Sequence, residues 1–371
     1  MKILQSSNIY LGRSFLGTAF PGEKLRALIK TAFSKIIDTA LQQSVDMVIF
    51  AGDTFANPEI SQNLLDFFVS EIKRLEATPV VIMPGNSDGY EKESFWAQWR
   101  VIPPAKNLHI LSDADDNVVK IEEKSVVVFG FPPSRINNID DWAKYAKTED
   151  DSSYHIAVIY GDFSSSAAAG RSKSPVSYEL LKTAPFNYIA FGGRNGYAAL
   201  NETGVKAAYS GSPVALGPGW NDAGNILVIE LIDDSISINK IPISDIVWKE
   251  VQIPVETVAN LDDLKGKIQE LAGDNVLLKV TLSGLALLDT ALNTHHLQKE
   301  LEERFLDILV VDNTSVLPDN VSAIKVQEKT MLGQFLKVMI DKLKNSSGED
   351  KRNYEEALKM GYTLLSGKEI R

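Results

Sequence analysis

Met47-Val48-Ile49-Phe50, followed by Ala51-Gly52-Asp53-Thr54-Phe55-Ala56-Asn57-Pro58, is the stretch on which the reading of this chain turns. Four apolar residues in a row read as a strand covered on both faces, because a sheet with one wet face alternates apolar with polar. The Gly-Asp after it is a turn signal: glycine tolerates positive φ, and an Asx side chain bonds its own backbone. The same pattern recurs outward along the chain. Val80-Val81-Ile82-Met83 runs into Pro84-Gly85-Asn86-Ser87-Asp88, and Ile156-Ala157-Val158-Ile159 into Tyr160-Gly161-Asp162. Tyr188-Ile189-Ala190-Phe191 runs into Gly192-Gly193-Arg194-Asn195-Gly196, and Val126-Val127-Val128-Phe129 is a further strand. Glu23 to Gln42 and Ser61 to Leu75 carry apolar residues at helical spacing between strands. This alternation predicts an α/β layered unit whose site is built by loops at the carboxyl ends of the strands.

Composition bounds the function classes. The 371 residues are enough for two or three domains, and 44% hydrophobic with 23% charged residues is the balance of a folded globular chain. A net charge of −11 gives no global field favouring nucleic acid or anionic membrane, so any DNA contact uses a local patch. The absence of cysteine excludes disulfides, thiolate metal sites and a cysteine nucleophile. No signal-peptide core or membrane-length apolar run is visible, and a cytoplasmic location is expected.

Ile226 to Leu231 and Ile236 to Ile241 read as late strands, and Ile241-Pro242-Ile243-Ser244-Asp245 as a seam, so the first domain is expected to span 1–245. Val251-Gln252-Ile253, Val276 to Leu282 and Ile308 to Val311 read as strands, alternating with helices over Leu261 to Leu271 and Thr290 to Phe305. They make a small α/β domain over 246–326. The segment 327–371 reads as two amphipathic helices. Thr330 to Leu343 carries Met331, Leu332, Phe335, Met339 and Leu343 on a broad apolar face, a candidate partner-binding surface.

Leu11-Gly12-Arg13-Ser14-Phe15, Ala51-Gly52-Asp53, Pro84-Gly85-Asn86 and Tyr209-Ser210-Gly211-Ser212-Pro213, in that order, resemble the calcineurin-like metallophosphoesterases, specifically SbcD-type DNA repair exonucleases including the YhaO type. The resemblance is close over roughly 1–245 and looser beyond. It implies a four-layer α-β-β-α sandwich with a small capping domain and C-terminal helices. It also implies a two-ion Mn site, an SbcC-like coiled-coil ATPase gripped by the terminal helices, and self-association into a homodimer.

Against that pattern the cleft is degenerate. The family's first loop, Asp-x-His, is Asn8 and Tyr10 here. Its bridging aspartate is retained as Asp53, and of Gly-Asn-His-Asp the chain keeps Asn86 and Asp88 but has Ser87 in place of the catalytic histidine. The metal-binding histidine after the fourth strand is replaced by Tyr160, and Gly-His-x-His becomes Gly192-Gly193-Arg194-Asn195. Two divalent ions about 3.5 Å apart repel by roughly 19 kcal/mol at an effective dielectric of about 20, which one carboxylate does not offset. Tyrosines ligate as phenolates, from a pKa near 10, and Gly193 has no side chain. No metal is therefore expected, although a single Mg²⁺ or Mn²⁺ on Asp53, Asn86 and water stays open. Arg13 and Arg194 either neutralise Asp53 and Asp88 or face solvent.

Three functions follow. The first is a pseudoenzyme, a phosphoesterase scaffold kept as a structural or partner-binding subunit in DNA metabolism. The second is an active metal-dependent exonuclease or phosphodiesterase with a rebuilt site, and the third a metal-free DNA-binding scaffold.

Overall fold

The computed structural model describes residues 1–16, 20–91, 93–111, 117–132, 154–161, 176, 181–182, 184–200, 206–233, 235–287, 294–317 and 330–365. The chain divides into two compact units, Met1–Trp248 and Lys249–Arg371, so the seam falls at 248 and the terminal helices group with the second unit.

In the first unit β1 (Lys2–Ser6), α1 (Gly22–Gln42), β2 (Met47–Ala51), α2 (Gln62–Lys73), β3 (Val80–Met83), α3 (Phe95–Val101) and β4 (Leu108–Ile110) alternate. β5 (Val118–Ile121), β6 (Val126–Phe131), β7 (Tyr154–Tyr160), β8 (Tyr188–Gly192), β9 (Ala198–Ala199), β10 (Ala207–Tyr209), β11 (Asn225–Ile232) and β12 (Ser235–Pro242) follow. They build two six-stranded sheets, in the orders β12-β11-β1-β2-β3-β4 and β5-β6-β7-β8-β10-β9. The strands β1 to β4 are parallel, as are β6, β7, β8 and β10, and antiparallel strands sit at the margins.

Each apolar run divides its side chains between two faces, as strand geometry requires. Met47, Ile49 and Ala51 join Val81, Met83, Val128, Ile156, Val158 and Tyr188 in the core between the sheets. Phe50 turns to the helices, 5.7 Å from Phe33, which stacks on Phe68 at 5.2 Å. On the far face of the second sheet Phe129, Ile159 and Phe191 are covered by Val176, Leu181 and Phe186. Among the described residues the order is helices, sheet, sheet, and the second helical layer expected from the sequence falls outside them.

In the second unit β13 (Val247–Pro254), which begins at the seam, leads to α4 (Leu261–Gln269), β14 (Gly273–Ser283), β15 (Leu285–Leu287), α5 (Thr294–Leu301), β16 (Phe305–Asp312) and β17 (Ser315–Leu317). Their sheets are β13-β14-β16 and the pair β15-β17, and Leu264, Ile268, Leu278, Val280, Leu297 and Ile308 fill the core. α6 (Met331–Lys344), capped by the Thr330 hydroxyl on the Gly333 amide at 3.1 Å, and α7 (Gly348–Leu365) pair with each other. Leu336, Met339 and Leu358 are buried between them, with Leu332, Phe335 and Leu343 partly covered and Met331 exposed. A Cβ on Gly361 would overlap the Phe335 ring, so glycine is what lets that ring lie against α7.

Candidate functional site

The first two strand-end loops are zipped together by backbone bonds. The amides of Asn8, Tyr10 and Leu11 donate to the carbonyls of Gly52, Asp53 and Thr54, each at 3.0 Å, and the Ala56 amide returns to Leu11 at 2.9 Å. This pairing holds three non-glycine residues in the left-handed region: Asn8 at φ 53°, Tyr10 at 57° and Asp53 at 51°. Such conformations cost of order 1 kcal/mol or more each and persist where surrounding contacts enforce them, as at sites. Asn and Asp tolerate them; tyrosine there is unusual.

The turn aims three side chains at one point. Asp53, 1% exposed, accepts from the Tyr160 hydroxyl on Oδ2 at 2.5 Å, from Asn8 Nδ2 on the same oxygen at 3.4 Å, and from the Ser87 amide on Oδ1 at 2.8 Å. Asn8 Nδ2 also faces the Tyr10 hydroxyl at 2.9 Å and Asn195 Oδ1 at 3.3 Å, while its Oδ1 accepts from the Gly193 amide at 3.1 Å. The Tyr10 hydroxyl reaches Asn195 Oδ1 at 3.4 Å. Burial and then the Asp53 charge push the phenols of Tyr160 and Tyr10 well above their ordinary value. Both are neutral hydrogen-bond donors rather than phenolate ligands.

Asp88 lies apart from this cluster, wholly buried. It accepts from the Gly85 amide at 2.7 Å and the Phe55 amide at 2.9 Å, and its carbonyl takes the Trp96 indole at 2.7 Å. Burial pushes its carboxyl up to about 7, against the pull of those amides. Its role is to tie the third loop to the second.

The remaining candidates divide. Asn195 and Gly193 join the cluster, Ser87 contributes its amide, and Asn86 is exposed and offers the Tyr160 oxygen its backbone. Arg194 is exposed, and the partners of Asp53 are a phenol, a carboxamide and an amide, so the guanidinium neutralisation weighed from sequence is not how this carboxylate is held. Arg13 instead faces the rings of Trp220 (5.1 Å), Tyr10 (5.4 Å) and Phe15 (5.6 Å). Trp220, after the Gly217-Pro218-Gly219 turn, is a cleft residue that sequence reasoning missed; the only signal was an aromatic following a glycine-rich turn. His109 lies in β4, His155 at the start of β7, and His295 and His296 in α5 of the second unit.

A pair of divalent cations needs several anionic or imidazole donors. Among the described residues the cluster offers one carboxylate that already accepts three hydrogen bonds, two neutral phenols and two carboxamides. Among the described residues no group of three or more His, Cys, Asp or Glu is placed to hold a metal. The residues present do not fit a two-ion centre.

A family profile described as calcineurin-like phosphoesterase matches residues 23–211, a span that takes in the loops after β2, β3, β7 and β8 and begins after the first loop. The chain belongs to this family. It is similar to an uncharacterized metallophosphoesterase, YhaO, of Bacillus subtilis (strain 168), with 22% identity over 338 residues, 84% of this chain and 81% of that one. Among solved structures it is similar to TT1561 of Thermus thermophilus, at 12% identity and TM-score 0.42 over 64% of this chain and 98% of that one. The calcineurin-like phosphoesterase YfkN from Bacillus subtilis is likewise similar, at 14% identity and TM-score 0.40 over 66% and 90%. Among the described residues no helix is long and apolar enough to cross a membrane.

Proposed function

We propose that this calcineurin-like phosphoesterase is a catalytically degenerate, SbcD-like member that works without a metal as a structural or partner-binding subunit. Its partner would be an SbcC-like coiled-coil ATPase acting in DNA metabolism in the cytoplasm. The observation that carries the reading is the state of Asp53: both oxygens of the one carboxylate in the cluster are occupied by protein donors. With too few anionic or imidazole donors to hold a cation pair, and no histidine in the cluster to shuttle a proton, the cleft is poorly equipped for phosphoester hydrolysis. Fold does not dictate chemistry, and a scaffold survives the loss of its reaction when its surface is in use. The 84% coverage in the YhaO alignment supports a shared layout that reaches into the second unit.

The test is metal analysis of the purified protein together with Mn²⁺-dependent cleavage of single-stranded DNA and of a chromogenic phosphodiester. The expected result is substoichiometric metal and no turnover. Turnover that disappears in Asp53→Ala would restore the chain to the hydrolases. Salt-dependent DNA binding without turnover would instead favour a metal-free DNA-binding scaffold.

A further inference from the structure

The Tyr160 ring sits in a slot walled by glycines from three loops. A Cβ on Gly52 would overlap the ring; one on Gly85 would lie 2.8 Å from Cε2, one on Gly192 3.3 Å from Cδ2, and one on Gly193 3.4 Å from Cε1 and Cζ. Gly52 and Gly193 stand at φ 87° and 99°, where other residues are strained. The end of β2, the end of β3 and the end of β8 thus close on one aromatic side chain, which is 6% exposed. Its hydroxyl lands on Asp53 Oδ2. The neighbouring positions around the carboxylate are taken by Asn8 and the Ser87 amide, and Asn8 passes the connection on to Tyr10, Asn195 and Gly193. Every loop that reaches the cleft from these strands is therefore tied, directly or through one intermediate, to Asp53.

A buried carboxylate needs compensation, and in this fold family a pair of cations is the expected source. We propose that Tyr160 takes over that role: its hydroxyl, seated in the glycine slot, is the positioning group that organises Asp53 and the surrounding loops in the absence of any divalent cation. This deepens the proposed loss of metal by naming what replaces it. A charge-assisted O–H···O⁻ bond in a site shielded from water is strong enough for the task. The ring also fills the volume beside the carboxylate, so the replacement is steric as well as electrostatic.

The Tyr160→Phe arms read melting, not activity or bound metal, so their failure is distinct from a failure of the pseudoenzyme reading, which turns on metal content and hydrolysis. For the parent protein, the melting temperature should be the same in EDTA and in saturating MnCl₂, because a cation that binds the folded state raises it by mass action. Tyr160→Phe, which keeps the ring and removes only the hydroxyl, should melt about 5 °C lower. In a double-mutant cycle, Tyr160→Phe in an Asp53→Asn background should lower the melting temperature by much less than in the parent, since the partner is already altered. A rise in the parent's melting temperature with Mn²⁺, an unchanged melting temperature for Tyr160→Phe, or fully additive losses would each overturn the proposal.

Discussion

At the scale of single residues, the loops after β2 and β3 each supply a buried carboxylate, and the two have different duties. Asp53 is the hub of the donor cluster; Asp88 binds two amides in a dry pocket. Burial raises the Asp88 carboxyl from an ordinary 3.8 to about 7, so in that interval the folded chain holds a proton that the unfolded chain has released. The linked stability is fully present below about pH 4 and is lost as pH rises through about 7. Urea unfolding of the parent and of Asp88→Asn across this window should show their stability difference shrinking as pH rises; a constant difference would place the titration elsewhere. Sequence alone located both carboxylates, because Gly-Asp and Asn-Ser-Asp follow strands recognisable by their unbroken apolar runs. It did not reveal what compensates Asp53. A phenol and a carboxamide carry no formal charge, so no charge count points to them, and Arg194, which a charge count does pick out, is exposed.

At the scale of elements, one buried side chain stitches the two sheets together. Gln5 of β1 donates to the carbonyls of Phe191 at 3.1 Å and Ala208 at 3.0 Å, on β8 and β10, and accepts from the Tyr188 hydroxyl. Gln5→Leu keeps the volume but leaves those groups without it, and should cost about 2–4 kcal/mol in urea unfolding with the fold intact. In the second unit the helix pair buries its own small cluster around Leu336, Met339 and Leu358. Leu336→Ala should therefore cost roughly 2–4 kcal/mol locally, visible as faster hydrogen exchange across Met331–Lys344 with little change in the first unit. The long elements were legible: the expected helix over Glu23 to Gln42 is α1, and the expected late strands lie within β11 and β12. The short ones were not. α3, seven residues with three aromatic side chains, is too brief to display a helical period, and strands of two to four residues such as β9, β10 and β4 owe their existence to neighbours rather than to their own sequence. Of the five apolar residues expected to meet a partner, Leu332, Phe335, Met339 and Leu343 turn toward α7, and Met331 is left outside.

At the scale of the whole chain, the terminal helices are separable in principle because their cluster is distinct from the core of the second unit's sheet. A chain ending before Thr330 should unfold cooperatively like the parent and fail to capture a coiled-coil ATPase in a pull-down; retained capture would place the contact on another surface. The order of the first sheet carries a different consequence. β1 lies between β2 and β11, with Lys2 opposite Glu230 and Gln5 opposite Leu227. During synthesis β1 therefore has one flank open until more than two hundred further residues have emerged from the ribosome. Pairing so distant is slow to form, and an open flank is a template for mispairing. A nascent chain stalled before Asn225 would then be a natural client for ribosome-bound chaperones, and release of that client should coincide with delivery of the β11–β12 hairpin.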